Sequence, residues 1–73
     1  MNDLIRLVCE KAAMRFGGTD KVFSAAAFSC EWQPLTGTVQ LLDGIHVRAM
    51  LTGRPDIKVL AGGCHFKLIE ETT

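Results

Sequence analysis

Residues 38–51, TVQLLDGIHVRAML, contain the strongest local signal in this chain. The pair Asp43-Gly44 separates two runs in which apolar residues alternate with other residues. A two-residue Asp-Gly turn between alternating runs is typical of a β-hairpin. The stretch therefore predicts a hairpin with strands from Thr38 to Leu42 and from Ile45 to Leu51.

The residues on either side of this predicted hairpin indicate further strands. Lys21 to Trp32 is rich in Phe, Val, Ala and Ser and is followed by Gln33-Pro34, which predicts a long first strand ending before the proline. After the hairpin we expect a turn, a strand, a tight connection and a last strand, at Thr52 to Asp56, Ile57 to Ala61, Gly62-Gly63 and Cys64 to Glu70.

The N-terminal segment has the period of a helix. Its apolar residues recur at i, i+3 and i+4 from about Asp3 to Phe16, Asn2 or Asp3 can cap the first turn, and Gly17-Gly18 is a common helix end. The predicted fold class is α+β, a single domain over residues 1–73. It consists of one N-terminal helix packed on an antiparallel sheet of about four to five strands, an α-β-β-β-β-β meander.

Composition limits the class of protein. The chain has 73 residues, 48% of them hydrophobic and 22% charged, which is typical of a small globular domain with a thin stability margin. Eight basic residues balance eight acidic ones, so the whole molecule has no long-range field for nucleic acid or membranes. The odd number of cysteines, the absence of a leader and the absence of a membrane-length apolar run predict a soluble, cytoplasmic protein.

Alternation along the predicted strands divides the sheet into two faces. The apolar face, expected to pack on the helix, contains Val39, Leu41, Ile45, Val47, Ala49, Leu51, Ile57, Val59, Phe66 and Leu68. The opposite, basic face contains His46, Arg48, Met50, Lys58, Leu60, His65, Lys67 and Ile69. That face is a solvated surface, a protein contact or an anion and nucleic-acid contact, and the sequence leaves these alternatives open.

A second candidate surface lies on the predicted helix. Leu7 and Met14 are seven residues apart, on one side of the helix and outside its main apolar sector. They are either scattered surface residues or a contact for another chain, and a homodimer would add buried area that so small a core lacks. Trp32, at the end of a predicted strand, is either a core residue or an interface anchor.

Motifs for catalysis and for metal or cofactor binding are not found. Cys64 and His65 are adjacent on a predicted strand, so their side chains should diverge, and no Cys-x-x-Cys spacing is present. No serine-hydrolase or phosphate-loop motif occurs, and the acidic residues are spread through caps, turns and the tail. We therefore expect no metal, no cofactor and no enzymatic activity.

These observations favour a small non-enzymatic protein-binding module. It would be an accessory or inhibitor of the kind that phages and mobile elements encode, acting as a homodimer on the surface of an unidentified protein partner. The alternative is a nucleic-acid-binding protein that uses the basic face of the sheet. The candidate partner-binding residues are Leu7, Met14, Trp32, Arg48, Met50, Lys58, Leu60 and Lys67.

Overall fold

A computed structural model of the chain describes residues 3–37, 39–40 and 42–69. These residues form three helices and a three-stranded antiparallel sheet, an α+β arrangement. The elements are α1 (Leu4–Met14), β1 (Phe23–Ser24), α2 (Ala25–Thr36), α3 (Gly44–Leu51), β2 (Ile57–Val59) and β3 (His65–Leu68). Strand β3 lies between β1 and β2. The predicted meander of four to five strands is therefore wrong, because two of its strands are largely helical.

Helix α1 lies where the sequence predicts a helix. Asp3 is its N-cap, and the Asp3 Oδ1 atom accepts a hydrogen bond of 3.1 Å from the amide of Arg6. The helix ends at Met14, and Gly17 follows in the left-handed conformation with a φ of 113°. Asn2, the other predicted cap, lies outside the described residues. The buried side of α1 consists of Val8, Cys9, Ala12 and Ala13.

The predicted first strand is extended only at β1 and then becomes α2. Ser24 ends β1 and caps α2, since its Oγ atom accepts a hydrogen bond of 3.2 Å from the amide of Ala27. A serine cap followed by three alanines, the residue with the highest helix propensity, outweighs the Phe and Val content that favours a strand. Pro34 lies in the last turn of α2, so only the end of the helix lacks a backbone hydrogen bond.

The predicted Asp43-Gly44 turn is instead the start of α3. Asp43 has extended backbone angles, and its Oδ1 atom accepts a hydrogen bond of 2.9 Å from the amide of His46. This is an N-cap contact, for which aspartate is among the preferred residues. The structure shows no strand at residues 39–40 and 42, and Thr38 and Leu41 of the predicted strand lie outside the described residues.

The side-chain pattern of α3 explains why it resembles a strand. Val47 and Leu51 are four residues apart and face the core, which satisfies both a period of two and a helical period. Ile45 and Ala49, which alternation assigns to the core, are exposed. Burial therefore follows the helical period.

The β2–β3 hairpin occupies the region in which the last two strands are predicted, with shorter strands than expected. Its register pairs Ile57 with Leu68, Lys58 with Lys67, and Val59 with Phe66. Gly62 and Gly63 have φ values of 95° and 72°, so the tight connection uses the left-handed conformations that favour glycine. Glu70, the predicted end of the last strand, lies outside the described residues.

The core lies between the helices and one face of the sheet. The rings of Phe23 on β1 and Phe66 on β3 have their centroids 5.9 Å apart. The largest fully buried side chains are those of Phe23, Phe28, Phe66, Leu51, Val8, Val47 and Cys9. Because Lys58 and His65 are exposed, the opposite, outer face of the sheet is open to solvent.

Candidate functional site

The residues predicted to form one basic sheet face are divided between α3 and the β2–β3 hairpin. His46, Arg48 and Met50 are on α3, not on a strand. On the hairpin, Lys58 lies directly opposite Lys67 in the register of β2 and β3. Since side chains alternate along a strand, His65 lies on the same face as Lys67. Three of the five basic side chains therefore share the outer face of the hairpin.

Arg48 connects α3 to this hairpin. A Cβ atom placed on Gly63 would lie 3.1 Å from the Nη1 atom of Arg48 and 3.3 Å from its Cδ atom. The guanidinium therefore packs against the bare backbone of the hairpin turn, and a larger residue at position 63 would displace it. We name Arg48, Lys58 and Lys67 the basic surface. Arg48 lies at the hairpin turn, and the two lysines lie on the outer face of the hairpin strands.

The basic surface has no carboxylate partner in the part of the chain that the structure describes. Among residues 3–37, 39–40 and 42–69, no carboxylate oxygen lies within 4.0 Å of the charged nitrogens of Arg48, Lys58 or Lys67. Lys58 and Lys67 are like charges in directly opposed positions of an antiparallel pair, an arrangement that destabilises a sheet. An anion bound between them would remove that repulsion.

The other arginines have acidic partners. The guanidinium of Arg15 contacts the Glu31 carboxylate at 2.6 Å, between α1 and α2. Arg6 and Arg54 contact Asp56, as described below. The chain has no net charge, but three of its described carboxylates, those of Asp3, Glu31 and Asp56, are paired with these three arginines. Charge separation therefore arises from how the charges are paired.

Asp43 is the acidic group at the start of α3. Its Oδ1 atom also contacts the Nδ1 atom of His46 at 2.8 Å. The backbone hydrogen bond from His46, followed by the ring contact, lowers the pKa of the Asp43 carboxyl. The first turn of α3 is thus capped by an ionised carboxylate, and the cationic residue of this helix lies one turn further along, at Arg48.

Two arginines and two aspartates form a contact that we name the arginine–aspartate clasp. Arg54 donates to Asp3 and, at 3.2 Å from Nε, to Asp56 Oδ1, while the Nη1 atom of Arg6 donates to Asp56 Oδ2 at 2.9 Å. The clasp joins the start of α1 to the loop before β2. It fixes the loop from which the hairpin starts.

The clasp shifts the pKa of both carboxyl groups. For Asp3, the backbone hydrogen bond from Arg6 and then the side-chain hydrogen bond from Arg54 lower the pKa. Burial of Asp56 alone would raise its pKa, but the hydrogen bonds from Arg6 and Arg54 outweigh burial, and the pKa is lowered. Both aspartates are therefore ionised at neutral pH.

The apolar candidates divide into packed and exposed residues. Trp32 is half-buried and stacks on Phe28 with ring centroids 5.7 Å apart. Met50 is half-buried against the core, and Leu60 is half-buried at the end of β2. Leu7 and Met14, by contrast, have 41% and 60% of their surfaces exposed. Of the apolar candidates, these two on α1 are the most open to another chain.

The cysteines differ from one another. Cys9 is buried, and burial raises the pKa of its thiol to about 12. Cys30 and Cys64 are free and exposed. Among the described residues, no three His, Cys, Asp or Glu side chains form a group that could hold a metal ion.

Two further structural findings concern cavities and membranes. A cavity of about 250 Å³ is lined by Arg6, Glu10, Thr19, Asp20, Leu68 and Ile69. Its volume lies below the range of about 300–1,000 Å³ that is usual for small-molecule sites, and Arg6 within it is already paired. In the part of the chain that the structure describes, no helix is long and apolar enough to cross a membrane.

Sequence reasoning missed the exposed side of α3. Ile45, assigned to the core, is 80% exposed, and Ala49 one turn later is also exposed. This side could have been located from the sequence by interpreting Asp43 as an N-cap that precedes two apolar residues four positions apart, Val47 and Leu51.

Comparison of the chain with protein-family models, with curated proteins and with solved structures found no match.

Proposed function

We propose that the protein binds nucleic acid through the basic surface on α3 and the β2–β3 hairpin. The observation that supports this most directly is that Arg48, Lys58 and Lys67 have no carboxylate partner among the described residues, whereas Arg6, Arg15 and Arg54 all have one. Fixed cations without partners on adjoining elements are what phosphate groups require. This was the alternative interpretation of the sequence.

The order of elements supports the same proposal by analogy. A helix, a short strand, two helices and a hairpin, with the first strand beside the last, is the topology of winged helix–turn–helix domains. The connection at residues 37–43 is longer than the turn of about three or four residues that is usual between the two helices of the DNA-binding motif. This likeness is one of topology alone, and a fold does not determine a function. The argument therefore depends on the side chains that these elements expose.

Helix α3 exposes side chains that could contact the groove of a nucleic-acid duplex. Its outward side contains Ile45, His46, Arg48 and Ala49, all exposed. Arginine and histidine can donate hydrogen bonds to base edges or phosphates, and an apolar side chain can contact a thymine methyl group. Lys58 and Lys67 on the hairpin would then contact the phosphate backbone, which positions a protein without specifying sequence.

The size of the basic surface sets the expected salt dependence. If each of its three cations neutralises one phosphate of a duplex, log K should fall with log salt with a slope of about −2.7. Affinity would then fall about 40-fold between about 50 mM and about 200 mM salt. So few contacts predict modest affinity with a marked dependence on salt.

Fluorescence anisotropy with labelled oligonucleotides tests the proposal. The Arg48→Glu/Lys58→Glu variant should lose binding to all sequences alike, because it reverses two phosphate-contacting charges. Lys21→Glu is the matched control for the single change Arg48→Glu, since Lys21 is an exposed cation that lies against Gly17, between α1 and β1. No binding by the unaltered protein at low salt, or an equal loss in the two single variants, would reject the proposal.

Protein binding, the first interpretation of the sequence, stays as a second candidate because of α1. Leu7 and Met14 remain exposed on a helix whose opposite side is buried in the core. A non-enzymatic accessory or inhibitor would contact its partner there, and Leu7→Asp/Met14→Asp should abolish that contact while sparing nucleic-acid binding. For either function we propose a cytoplasmic location, because exposed free thiols suit a reducing compartment.

A further inference from the structure

The exposed side of α1 has the spacing of a coiled-coil seam. Leu4, Leu7, Lys11 and Met14 follow one another at intervals of three, four and three residues. In a heptad these are successive a and d positions, which face a partner helix. The three apolar members are 38%, 41% and 60% exposed, and none of them belongs to the buried core. We name these four residues the α1 stripe.

Charges beside the stripe are complementary to each other. Lys11 is exposed, and no carboxylate among the described residues lies within 4.0 Å of its amine. Glu10, next to it, has its nearest cation at 3.8 Å, the Nε atom of Arg6, and both of those side chains are about two-fifths exposed. The stripe thus presents a cation at its seam and a weakly paired anion at its edge.

We propose that the α1 stripe binds the α1 stripe of a second copy of this chain, with the two helices antiparallel. A parallel pair would place Lys11 opposite Lys11, so two like charges would meet at the seam. An antiparallel pair places Leu4 opposite the second copy's Met14 and Lys11 beside its Leu7. The amine of Lys11 can then reach Glu10 of the other copy.

A two-fold axis makes these contacts occur twice. Each copy supplies one Lys11 and one Glu10, so the complementary charges are satisfied symmetrically. A single polar residue at an a position is a common means of fixing register and orientation between helices. Lys11 would have this function here, at some cost in affinity. This inference concerns a different surface from the proposed nucleic-acid contact.

The interface should be weak because α1 is short. Its 11 residues span about 16 Å, so the stripe alone cannot bury the roughly 800 Å² per partner of a standard interface. We expect a dissociation constant on the order of 100 µM, which requires measurements up to about 1 mM protein. Sedimentation equilibrium under reducing conditions, without nucleic acid, should show the average mass rising from 8.0 kDa towards twice that value.

Three variants test the proposed geometry. Leu7→Asp/Met14→Asp should remain monomeric over the same concentrations, with an unchanged circular dichroism spectrum because both residues are exposed. Lys11→Glu should weaken the dimer at least tenfold, since it places two carboxylates together. Adding Glu10→Lys to Lys11→Glu should restore most of the affinity by exchanging the two charges.

The possible results separate this inference from the proposed function. A chain that stays monomeric, or a dimer that survives Leu7→Asp/Met14→Asp, would overturn the inference, and the stripe would then belong to another partner. A dimer in which the charge exchange fails to restore affinity would overturn the antiparallel register. A monomer that still binds oligonucleotides would overturn the inference alone, whereas a dimer that binds none would overturn the proposed function alone.

Discussion

Asp56 is the shared acceptor of the arginine–aspartate clasp, and Asp56→Asn removes its charge with almost no change in shape. The Asp56 side chain is 9% exposed and accepts from two arginines, whose side chains are 41% and 23% exposed. Hydrogen bonds to charged groups contribute about 1.5–3 kcal/mol each, and solvent screening at Arg6 reduces the sum. We expect Asp56→Asn to lower the free energy of unfolding by about 2 kcal/mol at neutral pH, and the melting temperature by about 10 °C.

The lowered pKa of Asp56 makes this effect dependent on pH. A carboxyl whose pKa is lower in the folded state stabilises the fold above its unfolded value of about 3.9. That stabilisation disappears as the pH falls through the folded pKa. The difference in free energy of unfolding between Asp56→Asn and the unaltered protein should therefore be smaller at about pH 2 than at pH 7.

Urea unfolding followed by circular dichroism at the two pH values measures both quantities. Asp20→Asn is the matched control, because Asp20 is exposed and has no cationic partner among the described residues, so its free energy of unfolding should change by less than about 0.5 kcal/mol. An equal destabilisation of Asp56→Asn at both pH values would refute the argument, since it would show that the loss does not come from an ionised carboxylate.

Two further predictions test local features. Asp43→Ala should lower the free energy of unfolding by about 1 kcal/mol in urea titrations and reduce helical circular dichroism, because it removes the N-cap bond to His46; an increase in helical signal would contradict an α3 that starts at this residue. In a thiol titration at neutral pH, Cys30 and Cys64 should react at once and Cys9 only on addition of denaturant, since Cys9 is buried with a thiol pKa of about 12.

The parts of the fold that the sequence predicts well have residue patterns that fit only one type of secondary structure. Asp3 followed by a helical period and then Gly17 leaves little choice other than a helix, and α1 lies there. Gly62-Gly63 between short alternating runs leaves little choice other than a tight hairpin connection. In both cases the glycine occupies a backbone conformation that other residues rarely adopt.

Where the prediction is wrong, the residue pattern fits two types of secondary structure. Asp-Gly can be a hairpin turn or an N-cap with its first helical residue, and Val47 with Leu51 fits a period of two and a helical period equally well. Which one forms depends on burial against the rest of the chain, which local sequence does not contain. The candidate site shows the same limit, because alternation correctly places Lys58 and Lys67 on one face of the sheet but places Arg48 on the wrong element.

The balanced charge of this chain does not exclude binding to nucleic acid. A net charge of zero removes the long-range field, and the loss of that field affects the rate at which the protein and a polyanion associate. It does not restrict contacts within a Debye length of about 8 Å, where local charge decides. Here the carboxylates of the clasp and of Glu31 pair with three arginines, and no carboxylate within residues 3–37, 39–40 and 42–69 pairs with the cations of α3 and the hairpin. The association rate constant for nucleic acid should therefore be that of diffusion without electrostatic steering. Affinity should come from slow dissociation, and added salt should mainly raise the dissociation rate constant.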